Sequence, residues 1–408
     1  MKRAMQRDMP VRVIDLLVAP QDDVFAASVA YAYDPVPNVP QYIRPTLLSF
    51  PQHASRVNHI IRSNSIHLRP HAAGLPYRSS LDYVRATKHW RANLDETTKV
   101  LELLATDAST VDVEVGQGIT LAKLAKKELR PGLENRMVVA TSHMFPSGDE
   151  RRIRIIATLM IMYFVFDGNQ ARLEIYALQL SDLRDDFFGR FDGPRAKRSP
   201  GRLSALQRHL DETVRIIDNE NTVGGNGGHE MLQALRGAFR CVHPEGNFPT
   251  VERYLEFRRL NVGARFVIAA AKFSIKSGVD VSDSRFARYL TLIGDHLGLT
   301  NDLASYEKEA RALQAAETKD MINIVAVIRN LMSLPNEGAA RAATFSYLLQ
   351  VEAWIVEEIE RLAAWEKLTD EEWWFLEVVF LSATGNTFFC MTSSRYGGEA
   401  AKISQKGD

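Results

Sequence analysis

The chain has 408 residues, a formal net charge of zero and 46% hydrophobic residues, which is enough apolar content for a large buried core. The balanced charge argues against a nucleic-acid partner. Two cysteines, Cys241 and Cys390, have no spacing partners, which excludes a zinc cluster, argues against a disulfide framework and favours a reducing compartment.

The first eighty residues differ from the rest of the chain because they are rich in proline and show little sustained helical periodicity. Their start is basic, but its apolar stretch is interrupted by Asp15 and ends at Pro20, which makes a poor signal peptide. We predict a partly ordered N-terminal extension over 1–80 and a single helical domain over 81–408. We also expect a cytoplasmic protein with no membrane span. The sequence leaves open whether the protein forms a homodimer.

From residue 81 onward the spacing of apolar residues is typical of helices, and strand-like alternation is scarce. The segments with helical spacing are 81–106, 119–132, 152–166, 203–220, 231–242, 286–313, 322–333, 342–368 and 371–383. The pattern predicts an all-α fold. The run 152–166 is strongly apolar and ends at Asp167, and it is too short to cross a bilayer comfortably.

The segment NDLASYEKE, residues 301–309, carries a candidate metal site. It places Asn301, Ser305 and Glu309 four residues apart on one predicted helix, within an arc of about 80°, and Lys308 lies beside them. Amide, hydroxyl and carboxylate oxygens are hard ligands that suit Mg²⁺ or Mn²⁺, and Mg²⁺ often completes its coordination with water and phosphate oxygens. The spacing predicts a divalent cation together with a phosphorylated ligand. The plainer interpretation is a solvated helix face, because all four residue types are common on surfaces.

This pattern, with Asn, Ser and Glu four apart and Lys before the Glu, resembles the second metal-binding motif of class I terpene synthases. It looks closest to the fungal trichodiene-synthase-like sesquiterpene cyclases. The resemblance implies an all-α helical bundle around a central apolar cavity. It further implies that Asn301, Ser305 and Glu309 ligate Mg²⁺ and that Lys308 contacts the diphosphate of the substrate.

Two further segments match this family in order and spacing. Arg258 is similar to the family's diphosphate-sensing arginine, and a guanidinium suits that role because it is always charged and donates through a planar fork. The adjacent Arg259 is a rival for the same role. Arg395 and Tyr396 follow the apolar stretch 375–391 and match the family's Arg-Tyr pair, which implies that both donate to the diphosphate. Taken singly, each arginine is better explained as a surface or salt-bridging residue.

The first acidic motif departs from the family pattern of two adjacent acids and a third acid three or four residues on. Asp167 ends the apolar run where the motif is expected, but Gly168 stands in place of the second acid. Asn169 and Glu174 are weaker candidates for a further ligand. The resemblance implies that Asp167 is the main metal ligand of this motif.

A rival acidic cluster contains Asp182, Asp185, Asp186 and Asp192. It has paired acids, but it does not follow a long apolar helix, and it runs into a basic stretch rich in Gly and Pro that is typical of a loop. We therefore favour Asp167, and we predict that Asp185 and Asp186 lie in a loop near the mouth of the site.

The resemblance implies a lyase of fungal-type secondary metabolism that ionises farnesyl diphosphate with Mg²⁺ and cyclises the carbocation to a sesquiterpene. Four aromatic residues close to the motif ends could line the cavity, although core packing explains each of them better when taken singly: Phe164, Phe166, Phe388 and Phe389. One alternative is a non-catalytic protein that binds isoprenoid diphosphates. A chain-elongating prenyltransferase is less favoured, because that helical family uses two Asp-rich motifs.

Overall fold

The structure is a computed structural model that describes residues 29–40, 59–116, 119–167, 177–192, 203–220, 227–241, 244, 247–315 and 321–403. These residues form a mostly helical bundle, which confirms the predicted fold class. The α-helices are α1 His59–Asn64, α2 Trp90–Thr106, α3 Leu121–Glu128, α4 Met137–Met144, α5 Glu150–Asp167, α6 Ala177–Gly189, α7 Ala205–Glu220, α8 Gly228–Ala238, α9 Val251–Asn261, α10 Ala264–Ser274, α11 Ala287–Gln314, α12 Ile324–Leu331, α13 Glu337–Trp365 and α14 Asp370–Thr392.

The last helix, α14, lies at the centre of the bundle. Its residues from Phe375 to Thr392 are all buried, and it contacts α4, α10 and α11. A helix that is apolar on every side needs cover on every side. In the described part of the chain, α14 is also the one helix long and apolar enough to cross a membrane, and its apolar stretch is fully buried inside the protein.

Helix α11 confirms the single long helix predicted over 286–313. It contacts α9, α12, α13 and α14. Its buried positions extend from Tyr289 to Tyr306, and the residues beyond Tyr306 are half-buried or exposed. The NDLASYEKE segment therefore lies where the helix leaves the core and approaches solvent.

Side-chain caps define the start of several helices around the centre. The side-chain oxygens of Thr250, Asn323, Asn336 and Thr369 accept backbone N–H groups at the starts of α9, α12, α13 and α14. Such caps satisfy amides that have no partner inside the helix.

Two short antiparallel sheets accompany the helices. Strand β1, Ser65–Leu68, pairs with β2, Val84–Thr87, and β3, Glu114–Gly116, pairs with β4, Ile119–Thr120. The prediction of a helix starting at residue 81 is wrong for its first residues, because all four residues of β2 are buried and pair with β1. Burial and cross-strand pairing outweigh the local helical spacing there. The β1–β2 pair also spans residue 80, and the division at that residue stays a prediction.

The acidic cluster lies on a helix, so the prediction that Asp185 and Asp186 belong to a loop is wrong. Helix α6 continues to Gly189 and is followed by a 3-10 turn, Arg190–Asp192. The helix forms because Leu183 and Phe187, one turn apart, are buried on its inner face.

A glycine allows α14 to lie directly against α4. A Cβ atom at Gly385 would sit only 2.0 Å from the carbonyl oxygen of His143 and 2.8 Å from the backbone nitrogen of Met144. Neither of these backbone atoms can move without displacing α4. The contact between the two helices therefore requires glycine at this position.

We expect Gly385→Ala to lower the free energy of unfolding by about 3 kcal/mol, because the added methyl group overlaps rigid backbone. The matched control is Gly237→Ala in α8, where an added Cβ meets nothing within 4 Å. That change should be neutral or stabilising by up to about 1 kcal/mol through helix propensity. Denaturant unfolding measures both values, and equal stabilities would contradict the close contact.

Candidate active site

Helix α11 brings the three predicted metal ligands onto one face at the edge of the core. Ser305 is buried, whereas Asn301 and Glu309 are half-buried and Lys308 is exposed. The hydroxyl of Ser305 makes a long hydrogen bond of 3.5 Å to the backbone oxygen of Asp302. The helical placement of the three ligands follows from their spacing in the sequence.

Arg258 on α9 faces Asn301. Its Nη2 donates to Oδ1 of Asn301 at 2.8 Å, and its Nε donates to Oδ1 of Asp302 at 2.9 Å. Its Nη1 donates to Oδ1 of Asn261. The aliphatic stem of Arg258 lies against Gly298 of α11, where an added Cβ would be 3.0 Å from Cγ of the arginine. The structure thus brings the predicted diphosphate-sensing arginine to the predicted metal ligands.

The rival Arg259 lies elsewhere. Its Nη1 donates to Oδ1 of Asp295 at 2.7 Å, and its stem lies against Gly294, one turn before Gly298. Arg259 therefore binds the earlier turn of α11, and of the two arginines it is Arg258 that contacts Asn301.

Asp302 is one of two residues of this site that the sequence analysis did not predict. It is fully buried, and its carboxylate accepts from Arg258, from the hydroxyl of Tyr254 and from the backbone N–H of Ile324 at 3.0 Å. The signal in the sequence was a carboxylate next to Asn301, at a helix position that faces the core rather than the ligand face. Asp302 therefore links α9, α11 and the start of α12.

Burial raises the pKa of Asp302 to about 6, against the lowering effect of the Arg258 charge. For Arg258, burial lowers the pKa, but Asp302 and other neighbouring groups together raise the pKa above its ordinary value, so the guanidinium stays protonated. The charge on Arg258 is therefore held inside the protein by a buried partner.

Asn323 positions Glu309 from the neighbouring segment. Its Nδ2 donates to Oε2 of Glu309 at 2.9 Å and to the backbone oxygen of Asp302 at 2.9 Å. Asn323 is fully buried and also caps α12. Its spacing from the NDLASYEKE motif gave no signal, because the contact depends on how the chain returns after α11.

The C-terminal pair reaches the same site from the end of α14. Nδ2 of Asn301 donates to the hydroxyl oxygen of Tyr396 at 3.1 Å, and Tyr396 is 3% exposed. Burial raises the pKa of Tyr396, so its hydroxyl stays neutral and can donate. The guanidinium of Arg395 lies 5.1 Å from the ring centre of Phe164. Asn301 thus connects Arg258 on one side with Tyr396 on the other.

The predicted cavity aromatics separate into three places. Phe389 lies between Tyr396 and Phe164, with ring centres 5.8 Å and 6.3 Å away. Phe166 is buried in a cluster of phenylalanine rings that also covers the inner face of α6. Phe388 lies in a second core cluster beside β1 and β2, where its ring centre is 4.5 Å from that of His143. Phe164 and Phe389 are therefore the two that lie near the site.

Asp167 is the final residue of α5, and its side chain lies outside the described part of the chain. Gly168, Asn169 and Glu174 also lie outside the described residues. The assignment of the first acidic motif stays a prediction.

Two of the rival acids on α6, Asp185 and Asp186, lie close to side chains outside the α11 face. Asp186 accepts from Arg190 and from Nε2 of Gln207 at 3.3 Å, and an oxygen of Asp185 lies 3.6 Å from Nε of Arg184. Asp182 is exposed, and the side chain of Asp192 lies outside the described part. The pairing of Asp186 with Arg190 and Gln207 accounts for that carboxylate without a metal ion.

The chemistry of the α11 face fits a hard divalent cation. Among the described residues, no group of three His, Cys, Asp or Glu side chains comes together as a metal site. On this face, the oxygen atoms that could hold a cation are the amide oxygen of Asn301, the hydroxyl of Ser305 and the carboxylate of Glu309. Such an all-oxygen set suits Mg²⁺ and disfavours soft metals.

The buried ion pair between Arg258 and Asp302 can be tested against the more exposed pair between Arg259 and Asp295. Asp302→Asn should lower the free energy of unfolding by about 3 kcal/mol or more, because Arg258 is left as a buried charge without its partner. Asp295→Asn should cost about 1 kcal/mol or less, because Arg259 is 28% exposed at its side chain. Urea unfolding measures the free energy of unfolding of both variants. Equal losses would contradict the importance given to Asp302.

Comparison with known proteins shows similarity to terpene synthases. Residues 180–345 match the family model described as terpene synthase family 2, C-terminal metal binding. The chain is 25% identical over 389 residues to Terpene cyclase 6 of Gibberella fujikuroi, covering 92% of this chain and 96% of that protein. It is 25% identical over 349 residues to Terpene cyclase aneC of Aspergillus aculeatus, covering 83% of this chain and 75% of that protein.

The fold is similar to that of solved terpene synthases. The crystal structure of α-eudesmol synthase superimposes with a TM-score of 0.55 at 14% identity, covering 75% of this chain and 95% of that one. The metal-binding region matched by the family model contains Arg258 and residues 301–309. The chain therefore has the fold of class I terpene synthases and is similar to fungal terpene cyclases, with a C-terminal region similar to the metal-binding region of terpene synthase family 2.

Proposed function

We propose that the protein is a class I terpene cyclase that ionises farnesyl diphosphate with Mg²⁺ and cyclises the resulting cation to a sesquiterpene hydrocarbon or alcohol. The observation that carries the proposal is the hydrogen-bonded group of Arg258, Asn301 and Tyr396 beside two further oxygen donors, Ser305 and Glu309. Charged and neutral hydrogen-bond donors therefore lie beside oxygen atoms that suit a hard metal ion. This combination suits a substrate with a diphosphate leaving group.

The side chain of Asn301 couples the two halves of the site. Its Oδ1, the atom proposed to ligate the cation, accepts a hydrogen bond from Arg258. A cation bound to this oxygen would repel the guanidinium, so we propose that Arg258 exchanges Asn301 for a diphosphate oxygen when the metal ion binds. Asp302 would keep the guanidinium in place during this exchange, because its Oδ1 lies 2.9 Å from Nε and 2.7 Å from Nη2 of Arg258.

Bound Mg²⁺ supplies positive charge that stabilises the leaving diphosphate. The protein adds the guanidinium groups of Arg258 and Arg395, the ammonium of Lys308 and the hydroxyl of Tyr396, which we propose donate to diphosphate oxygens. The buried Tyr396 is a neutral donor because burial raises its pKa.

The apolar side of the site would protect the cation from water. The rings of Phe164 and Phe389 lie next to Arg395 and Tyr396 and present faces that carry no nucleophile. An aromatic face attracts a cation through its quadrupole. We propose that these two rings lie closest to the reacting carbon atoms.

The length of the isoprenoid chain rests on the resemblance to sesquiterpene cyclases. A direct test incubates the 408-residue protein with geranyl, farnesyl or geranylgeranyl diphosphate, with and without Mg²⁺, and analyses the organic extract by gas chromatography and mass spectrometry. We expect a cyclic product from farnesyl diphosphate that requires Mg²⁺. A product from geranylgeranyl diphosphate alone would keep the reaction class and replace the substrate.

Metal-ligand variants test the site itself. Asn301→Ala and Glu309→Ala should each lower kcat/KM by at least about 100-fold, equivalent to roughly 2.7 kcal/mol of transition-state stabilisation. Gln314→Ala, an exposed position at the end of the same helix, is the matched control and should stay near the wild-type value. Near-normal turnover and unchanged Mg²⁺ dependence in the two site variants would refute the assignment.

A further inference from the structure

Residues 29–40, here termed the N-terminal strap, lie against the segment that follows α14. The backbone N–H of Tyr33 donates to the oxygen of Met391 at 2.7 Å, and that of Ala32 donates to the oxygen of Ala401 at 2.8 Å. In return, the N–H of Ile403 donates to the oxygen of Ala30 at 2.9 Å. These bonds enclose residues 391–403, which contain Arg395 and Tyr396.

The ring of Tyr33 covers the turn directly after Tyr396. Gly397 has a φ of +72°, and a Cβ atom at this position would lie 2.5 Å from Cδ2 and 2.9 Å from Cγ of Tyr33. Tyr33 is buried, at 7% exposure. Its contact with Gly397 therefore fixes the backbone immediately beyond the Arg-Tyr pair.

Arg78 holds the strap in this position. It forms a nearly buried ion pair with Asp34, with Nη2 and Oδ2 2.7 Å apart and side-chain exposures of 2% and 10%. Its guanidinium also donates to the backbone oxygens of Val36 at 3.0 Å, Val39 at 3.2 Å and Pro40 at 2.8 Å. One arginine thus satisfies three backbone carbonyl groups and the carboxylate of Asp34 in an otherwise irregular segment.

Arg341 of α13 links the strap to α11, the helix that carries the proposed metal ligands. Nη1 of Arg341 donates to Oε1 of Glu307 on α11 at 2.8 Å and to the backbone oxygen of Pro35 at 3.4 Å. Burial and the neighbouring Glu307 raise the pKa of Tyr33 to about 12, so its hydroxyl is neutral. On the other side of the turn, the N–H of Ser394 donates to the oxygen of Asn135 at 2.9 Å. The Arg-Tyr segment is held from both sides.

We infer that the N-terminal strap positions Arg395 and Tyr396 for diphosphate binding, with Tyr33, Asp34 and Arg78 as positioning residues. The inference rests on the proposed role of Arg395 and Tyr396 as diphosphate donors. A donor must be held close to its productive position to stabilise developing charge, and a loop after a helix lacks that rigidity by itself. The strap supplies it through backbone bonds, the Tyr33 ring and the buried ion pair.

The test measures binding of inorganic diphosphate with Mg²⁺ to the 408-residue protein by titration calorimetry, together with thermal unfolding of every variant. Tyr33→Ala removes the ring that covers Gly397, and Asn38→Ala changes an exposed residue of the same strap. Ile359→Ala in α13 removes buried apolar volume away from the strap and controls for a general loss of stability. We expect Tyr33→Ala to weaken binding about tenfold and the two controls to stay within about twofold of wild type.

Two glycines provide a second comparison that does not depend on how well Tyr33→Ala folds. Gly397 and Gly398 both have positive φ, at +72° and +57°, so an alanine is strained at either position. An added Cβ meets Tyr33 and Ala401 at Gly397, but nothing within 4 Å at Gly398. We expect Gly397→Ala to weaken diphosphate binding about tenfold and Gly398→Ala to leave it within about twofold.

The outcomes separate the strap from the function on which it rests. Wild-type binding together with unchanged affinity in Tyr33→Ala and Gly397→Ala overturns the role of the strap and leaves the proposed function standing. Equal losses in Gly397→Ala and Gly398→Ala assign the effect to backbone strain and also overturn the inference. A wild-type protein that binds no diphosphate overturns the proposed function and the strap's role with it.

Discussion

The buried ion pair between Arg258 and Asp302 joins α9 to α11 at the point where the candidate site begins. Burying two charges is costly unless they are paired and hydrogen-bonded, and Asp302 meets this requirement with Tyr254 and the first N–H of α12. Once Asp302 is fixed, its backbone oxygen accepts from Asn323, which in turn holds Glu309. The geometry of the proposed metal ligands therefore depends on a carboxylate that faces away from them.

Close helix packing makes this ion pair possible. Gly294 and Gly298 are one turn apart on α11, and each accommodates the stem of one arginine from α9. The two adjacent arginines bind different residues of α11. Arg259 binds Asp295, whereas Arg258 binds Asn301 and Asp302. A guanidinium offers several donors in a fixed plane, so Arg258 can keep Asp302 while it exchanges one partner for another.

Patterns within one helix were predictable from the sequence, whereas contacts between distant segments were not. The spacing of Asn301, Ser305 and Glu309 predicted their common face because helix geometry alone determines it. Asp302 and Asn323 escaped prediction because their roles depend on where α9 and α12 pack. Residues 84–87 form a strand where a helix was predicted, and Asp185 lies on a helix where a loop was predicted. The segments that stabilise them, β1 and the phenylalanine cluster, include residues distant in sequence, which local patterns do not reveal.

A crystal structure with Mg²⁺ and inorganic diphosphate would show whether Asn301 and Arg258 exchange partners. We expect Oδ1 of Asn301, Oγ of Ser305 and a carboxylate oxygen of Glu309 to surround one ion. We also expect Arg258 to turn its Nη2 from Asn301 to the diphosphate while its Nε stays bonded to Asp302. Diphosphate bound elsewhere, with the hydrogen bond between Arg258 and Asn301 intact, would contradict this exchange of partners.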